Sequence, residues 1–137
     1  MGWGEGRPVT TGLYELDNTS AAPVTVQSVS LSSPQGLRMT KSWLVPIFHD
    51  PKTGNWVDVG VGDAYPPTSA PQWVHRQPAI GGVIQPGQDL NLVFGLTRTT
   101  AQAGQTAGAV IVYSAGSNTY TLQEQTTLEV AANCASG

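Results

Sequence analysis

Three large aromatic residues, Trp56, Tyr65 and Trp73, occur in or beside the least regular part of the sequence. Exposed aromatic rings can stack on sugars, while nearby amide and carboxylate groups bind the sugar hydroxyls. Polar residues of this kind accompany the three rings: Asn55, Asp58, Asp63 and Gln72. Most loop tryptophans cap a core or hold a loop against the domain, and that is the simpler interpretation of these rings. The alternative is that the grouping forms a carbohydrate-binding site.

Two histidines, His49 and His75, are the starting point for any metal site or general base. Copper favours His, Cys or Met in close array, and calcium needs several oxygen ligands at short alternating spacing. The two histidines are far apart in the sequence, and Lys52 interrupts the most calcium-like run, 50–55. Because surface turns explain these residues more simply, we predict no metal ligands and no cofactor.

No catalytic centre is evident in the sequence. A nucleophile needs an activating base that a third group orients, and the chain has no G-x-S-x-G turn that would expose a serine. Serine and threonine are plentiful, but hydroxyl side chains are normal on the solvent face of strands. We predict that the chain is not an enzyme, with these candidate ligand-binding residues: Trp56, Asp63, Tyr65, Trp73 and His75.

Strands must position these candidates, and the stretch 83–96 is the most regular of them. A Pro86-Gly87 turn precedes a run in which every second residue is a large apolar one: Leu90, Leu92, Phe94 and Leu96. Alternation with period two is typical of a strand that turns one face to a core. We therefore expect this strand to organise the domain.

The rest of the chain repeats short strands and turns. Further strands are predicted at 12–17, 24–31, 37–47, 56–61, 109–113 and 119–130. The second of them should contain a bulge near Gln27-Ser28, because its apolar residues change parity there. No helix is predicted, and the proline-rich segment 62–78 forms a long loop. Such spacing favours an all-β, antiparallel Greek-key β-sandwich of about seven to eight strands over a closed barrel.

Length and composition limit the possible functions. The chain has 137 residues, which fits one domain with its own core. Its net charge is -3, and its 6 basic residues are scattered, which argues against nucleic acid and anionic membrane surfaces. No apolar run is long enough to be inserted across a membrane. The single cysteine, Cys134, cannot form an internal disulfide.

The expected domain limits are taken from the ends of the strand pattern. We expect a flexible lead-in at 1–11, a single β-sandwich domain at 12–131 and a disordered tail at 132–137. Trp3 in the lead-in could dock on the domain. Cys134 in the tail is either an incidental thiol or a partner in an intermolecular disulfide. No signal peptide is visible, but the start of the chain looks like that of a mature segment.

Two segments resemble immunoglobulin-like or fibronectin type III-like sandwich modules of exported bacterial proteins. The Gly-, Ala- and Thr-rich composition resembles that of actinobacterial proteins. They are 17–31, DNTSAAPVTVQSVSL, and 84–92, IQPGQDLNL. In such modules a polar turn precedes the first kind of strand, and a Pro-Gly turn opens the second. Trp43 stands where a core tryptophan is expected, although the chain lacks the Cys…Trp…Cys pattern of antibody domains.

The resemblance implies a non-catalytic extracytoplasmic module, secreted or tethered to the cell surface, with a structural or protein-interaction role. It carries over no catalytic residues. The alternative is a carbohydrate-binding module that uses the loop aromatics, so the expected partner is a protein or a carbohydrate. The sequence does not specify an oligomeric state, although long edge strands can pair between copies.

Overall fold

The computed structural model describes residues 8–131 and, within them, every side chain except that of Asp63. The predicted tail at 132–137 and most of the predicted lead-in lie outside the described residues. The first strand begins at Val9, earlier than the predicted residue 12. Thr10 and Thr11 are buried in this strand, so the domain includes them.

The described residues form short antiparallel strands and no α-helix. In chain order, strands β1 to β14 are Val9–Asp17, Val24–Ser32, Leu37–Met39, Trp43–Pro46, Phe48–His49, Trp56–Val57, Gly60–Ala64, Gln77–Pro78, Val83–Ile84, Asp89–Arg98, Gly104–Thr106, Gly108–Ala115, Asn118–Glu124 and Leu128–Val130. One 3₁₀ helix, Pro71–His75, precedes β8. No described helix is long and apolar enough to cross a membrane. The predicted all-β class is confirmed, but the strands are shorter and more numerous than predicted.

Two larger sheets share one core. Sheet A has the order β7-β1-β10-β4-β8, with β3 also paired to β10, and sheet B has the order β13-β12-β2-β9. Two short pairs, β5-β6 and β11-β14, complete the described strands. Sheet A contributes Tyr14, Leu92 and Phe94 to the core, and sheet B contributes Val26 and Ile111. The arrangement is sandwich-like because apolar faces of both sheets meet in these side chains.

Strand β10 is the central strand of sheet A, and its predicted alternation is confirmed. The four predicted core residues are all in the shared core: Leu90, Leu92, Phe94 and Leu96. The residues between them are buried as well, because Asn91 and Val93 are covered on the opposite face. The outer face of sheet A, the one turned away from the shared core, is therefore also closed at β10.

The predicted bulge in β2 is confirmed. The pairing of β2 with β12 is regular on both sides of Gln27, but it shifts by one residue between Val26 and Ser28. Val26 and Val29 are three residues apart, so a regular strand would place them on opposite faces. The extra residue lets both side chains point into the core. A parity change in the sequence thus located an irregularity in the sheet.

The predicted strand at 37–47 is divided into two strands, β3 and β4, which pair with successive parts of β10. The interruption reverses the face on which side chains lie. Leu37 packs in the shared core, whereas Trp43 packs with Val45 on the outer face of sheet A. Trp43 therefore packs against a second hydrophobic cluster, and its ring lies outside the core that the two sheets share.

The predicted closing strand at 119–130 is divided as well. Strand β13 pairs with β12, and β14 pairs with β11 in a separate sheet. Leu128 and Val130 reach the shared core as their alternation predicts. Tyr120 and Leu122 follow the same pattern but remain exposed, because β13 lies at the edge of sheet B.

Candidate functional site

The five candidate ligand-binding residues do not form one group. Tyr65 and Trp73 are in ring contact with each other on the outer face of sheet A. His75 is exposed at the end of the 3₁₀ helix. Trp56 lies in β6, where the β5-β6 hairpin holds it, and Asp63 lies in β7. The structure therefore brings together two of the three predicted stacking rings and leaves the third in another part of the molecule.

Trp43, Tyr65 and Trp73 form a contact group that we call the aromatic cluster. The ring centroids of Trp73 and Trp43 are 5.8 Å apart, and those of Trp73 and Tyr65 are 6.2 Å apart, both edge to face. The Trp43 Nε1–H group donates a hydrogen bond of 2.8 Å to the Tyr65 hydroxyl, which donates to the Lys41 carbonyl oxygen at 3.0 Å. The cluster packs on Val93 and so joins the segment 62–78 to sheet A.

Two cations lie over the rings of the aromatic cluster. The Arg76 guanidinium group is 4.7 Å from the Trp73 ring centroid and 5.0 Å from that of Trp43. The Lys41 amino group is 4.6 Å from the Trp43 centroid. Such cation–π contacts add to the packing energy of the rings. Trp73 is only 6% exposed, so its ring holds the loop and offers no platform for stacking on a sugar.

Asn91 fastens the neighbouring part of the outer face of sheet A. Its side-chain amide donates hydrogen bonds to the carbonyl oxygens of Gly12, at 3.0 Å, and Tyr14, at 2.9 Å. Its side-chain oxygen accepts a hydrogen bond of 2.8 Å from the Val59 N–H group. The pairing of β1 with β10 shifts at this point, and the fully buried asparagine satisfies the backbone groups that the shift leaves free.

Trp56 has a different environment, since it is 69% exposed. Its ring stacks on that of His49 in the facing strand, with centroids 4.4 Å apart and 15° between the planes. Trp56 also lines a groove of about 580 Å³ together with Glu15, Pro46, Ile47 and the segment 87–90. We call it the Trp56 groove. It combines an exposed ring with amide and carboxyl groups, as a sugar-binding site requires.

Carboxyl groups crowd one wall of the Trp56 groove. A hydrogen bond with Asp58, followed by burial, raises the pKa of Glu15, and a hydrogen bond with Asp89 acts in the opposite direction. Burial, then the hydrogen bond and charge of Glu15, and finally the charge of Asp17 raise the pKa of Asp89 to about 6. Asp89 therefore binds a proton in weakly acidic solution, when an ordinary aspartate is ionised.

Within residues 8–131, no three His, Cys, Asp or Glu side chains are arranged to hold a metal ion. One oxygen of Asp58 and one of Asp89 are buried without a hydrogen-bond partner among the described residues. The buried Asp89 oxygen fits the raised pKa of this residue, because an ionised carboxylate would need more donors than the wall supplies.

Strand β13 is a free edge of sheet B. It pairs with β12 over its full length without a shift in register, and no described strand pairs with its other side. Tyr120 is 44% exposed and Leu122 is 37% exposed. The Tyr120 ring stacks on Tyr113 of β12, with centroids 5.3 Å apart. The strand thus presents apolar side chains together with unpaired backbone groups.

Tyr120 and Leu122 line a cleft of about 330 Å³. Its wall is largely apolar and includes Leu16 of sheet A and Ile111 of sheet B. Asn18 fixes the adjoining turn, because its side-chain amide donates hydrogen bonds to the carbonyl oxygens of Ala22, at 2.9 Å, and Ile84, at 2.8 Å. The cleft is therefore a preformed apolar space between the two sheets, beside a free strand edge.

The other edges of the two large sheets are irregular or very short. In β7, Gly60 and Gly62 have φ angles of +88° and +109°, which a flat strand does not allow. Strand β8 has two residues, one of them Pro78, which lacks an N–H group. Strand β9 also has two residues and is soon followed by Pro86. Edge strands are commonly protected in these ways, but β13 has neither proline, lysine nor a bulge.

Sequence reasoning missed the carboxyl wall and the free edge. Glu15 and Asp89 are distant in sequence and meet only because β1 pairs with β10. The sequence offered one indication of this wall: in the alternating pattern of each strand, Glu15 and Asp89 stand at positions that face away from the shared core. Tyr120 and Leu122 follow a core pattern, and only the threonine and glutamine residues that surround them suggested an exposed strand.

Comparisons with known proteins found no matching family model, no matching curated protein and no matching solved structure. Function is therefore inferred from the geometry and chemistry of the chain itself.

Proposed function

We propose that the chain is a non-catalytic extracytoplasmic β-sandwich module that acts by protein contact, with the free edge β13 as its contact surface. The observation that carries the proposal is the uninterrupted strand Asn118–Glu124, exposed along almost its whole length beside an apolar cleft. Unpaired N–H and C=O groups at such an edge can be completed by a strand from another protein, whose alternate side chains enter the neighbouring cleft.

The wider assignment rests on three supports. Two antiparallel sheets with a shared core are compatible with the immunoglobulin-like Greek-key sandwich that the segments 17–31 and 84–92 resemble. Only 11% of the residues are charged, which is common among exported β domains. The closed aromatic cluster favours a structural role for the outer face of sheet A, because its rings pack within the fold, whereas β13 exposes Tyr120 and Leu122 side by side.

A photoreactive amino acid at Thr119 tests the contact surface in the cells that produce the chain. Thr119 is exposed in β13, and Ser30, which is exposed in β2 inside sheet B, is the matched control position. We expect irradiation to link a protein to the chain labelled at Thr119 and not to the chain labelled at Ser30. Equal labelling at both positions, or no protein adduct at Thr119, would overturn the proposal.

Carbohydrate binding is the second candidate function, and the Trp56 groove is the observation that favours it. An exposed ring lies beside Gln88 and two carboxyl-bearing residues, Glu15 and Asp89, in a groove of about 580 Å³. A sugar ring could stack on Trp56 while its hydroxyls bind these polar groups. In this proposal Tyr65 and Trp73 act only by fixing the sheet behind the groove.

Fluorescence titration with soluble polysaccharides tests this second candidate. A saturable change that is lost in Trp56→Ala and kept in Val57→Ala would support binding in the groove. Val57 is the matched control because it is exposed next to Trp56 in the same hairpin strand. A flat response to the whole panel, or equal loss in both variants, would remove the candidate.

A further inference from the structure

We infer that the protein that adds to β13 is a second copy of this chain, joined edge to edge across a two-fold axis at Thr121. This inference rests on the proposed function, because it names the partner of the same free edge. The two copies of sheet B would become one continuous antiparallel sheet. Such a contact uses the same surface on both copies and therefore closes as a dimer.

The sequence of β13 is complementary to itself in one register. An antiparallel pair of β13 strands centred on Thr121 uses all 7 residues of each strand. It pairs the following residues across the axis: Asn118 with Glu124, Thr119 with Gln123, and Tyr120 with Leu122. An amide then faces a carboxylate, a hydroxyl faces an amide, and an aromatic ring faces an aliphatic chain, which are favourable cross-strand pairs.

The apolar pairs fall on the face where apolar contact is available. Tyr120 and Leu122 both line the cleft between the sheets. A two-fold axis perpendicular to sheet B keeps the corresponding side chains of the second copy on that same face. The interface then gains a row of alternating aromatic and aliphatic side chains, and each cleft is extended by the other copy.

Charge selects this register over its neighbours. Glu124 is the only charged residue in β13. A register centred on Leu122 would place Glu124 against the Tyr120 ring. A register centred on Tyr120 would place Leu122 against Asn118 and leave Gln123 and Glu124 without facing residues in the other β13. Only the pairing about Thr121 gives every residue of β13 a facing residue and places Glu124 opposite a polar side chain, Asn118.

One added strand pair makes a small interface, so the association should be weak. Specific interfaces below roughly 1,200 Å² are typical of transient contacts. We expect a dissociation constant of roughly 10–100 µM. A high local concentration, as on a surface or in a tandem array, would raise the fraction that is paired.

Opposite charges at the axis test the partner and the register together. Thr121→Lys and Thr121→Glu each bring like charges into direct opposition in a self-pair, whereas their mixture brings Lys opposite Glu. Thr121 is exposed, so neither change should disturb the fold, and circular dichroism with thermal unfolding checks this. Thr121→Gln is the neutral control. The full chain is used under reducing conditions, so that Cys134 cannot link two copies.

Sedimentation equilibrium between about 1 µM and 1 mM, a range chosen around the expected affinity, provides the measurement. We expect the wild-type chain and Thr121→Gln to self-associate. Each charged variant alone should associate at least about tenfold more weakly, and an equimolar mixture of the two should recover association. The recovery is the decisive result, because an unfolded or generally weakened variant would not show it.

Three results overturn the inference. They are a wild-type chain that stays monomeric throughout the range, association that both charged variants keep, and association that the mixture fails to recover. The proposed function fails separately. A monomeric chain that is still cross-linked at Thr119 to a different protein keeps the contact surface and loses only the second copy, whereas a monomeric chain with no cross-link loses both.

Discussion

The outer face of sheet A and the free edge of sheet B both carry aromatic side chains, but they expose them very differently. On sheet A, Trp73 is buried beneath the Arg76 guanidinium group and packs edge to face on Trp43. On sheet B, Tyr120 stacks on Tyr113 and stays exposed. The difference arises from the course of the chain, because the segment 62–78 returns over sheet A and no described segment returns over β13.

The comparison separates two uses of apolar surface. On the outer face of sheet A, specific partners satisfy the polar groups: the Tyr65 hydroxyl accepts from Trp43 Nε1, and Asn91 binds three backbone groups. A surface completed in this way stabilises the fold. At β13 the outward backbone groups have no partner among the described residues. That surface contributes less to the fold and is available to another chain.

The strongest test of the closed face is removal of its central ring. Trp73→Ala should lower the free energy of unfolding by about 4 kcal/mol, because it leaves a cavity under the loop and removes the contacts with Trp43 and Tyr65. Val74→Ala, at the exposed neighbouring residue, should change it by less than about 0.5 kcal/mol. Urea unfolding measures both. Equal midpoints for the two variants would mean that the ring does not hold the segment.

A second test concerns the polar support of the same face. Asn91→Ala should lower the free energy of unfolding by about 3 kcal/mol, because two buried carbonyl oxygens and the partly buried Val59 N–H group lose their hydrogen-bond partner. Ser30→Ala, on the exposed face of sheet B, should leave it almost unchanged. Chemical denaturation and hydrogen exchange at Val59 give the comparison. Normal protection of the Val59 amide in Asn91→Ala would contradict the role of this side chain.

The Trp56 groove is intermediate between the closed face of sheet A and the free edge β13, because it combines an exposed ring with the partly buried carboxyl group of Asp89. The dependence of stability on pH distinguishes the groove from both regions. The pKa of Asp89 is raised from 3.8 to about 6, so the folded chain binds this proton more tightly than the unfolded chain does. Stability should therefore fall as the pH rises from about 4 to above 6. Asp89→Asn removes the contribution of this carboxyl group to the fall and should stabilise the chain by about 1 kcal/mol at pH 7, after allowance for solvent screening.

Denaturant unfolding at pH 4 and pH 7 checks the sign. Asp89→Asn should gain stability at pH 7 and gain little at pH 4. Glu129→Gln, at an exposed position in β14, controls for the loss of one negative charge. The same gain in both variants would show that net charge, and not the crowding of Asp89 with Glu15, causes the effect.

The strands of this fold were predictable where local parity determines the face. The alternation of β10 and the parity change in β2 are local properties of the sequence, and both describe the structure correctly. The position of Trp43 on the outer face of sheet A was not predictable. The interruption at 40–42 changes the face on which the following side chains lie, and the pairing of β3 and β4 with β10 determines the geometry of that interruption. Local pattern carries no information about such long-range pairing.

The candidate site was predictable only in part for the same reason. Trp56 and Trp73 occur in similar polar, turn-rich surroundings, yet one is exposed and the other is buried. A tertiary contact separates them, since Trp73 meets Val93 of the distant strand β10. The carboxyl wall likewise depends on the pairing of β1 with β10. Residue types identified the chemistry, but the fold decided which groups meet.

The smallest expected effect is the most informative about the free edge. Ile111 and Leu122 face each other in the β12-β13 pairing, yet they are 1% and 37% exposed. At low protein concentration, Ile111→Ala should lower the free energy of unfolding by about 3 kcal/mol and Leu122→Ala by less than about 1 kcal/mol. The low value for Leu122 is expected because its partner is missing in the monomer.

Concentration should change the Leu122 result and not the Ile111 result. If a second copy pairs with β13, the wild-type melting temperature rises with protein concentration, because association stabilises the folded chain. Ile111→Ala should lower the melting temperature and keep that rise, whereas Leu122→Ala should remove most of it. A large loss in Leu122→Ala at the lowest concentration, with no rise in the wild type, would instead make β13 part of the core and remove the contrast between the two regions.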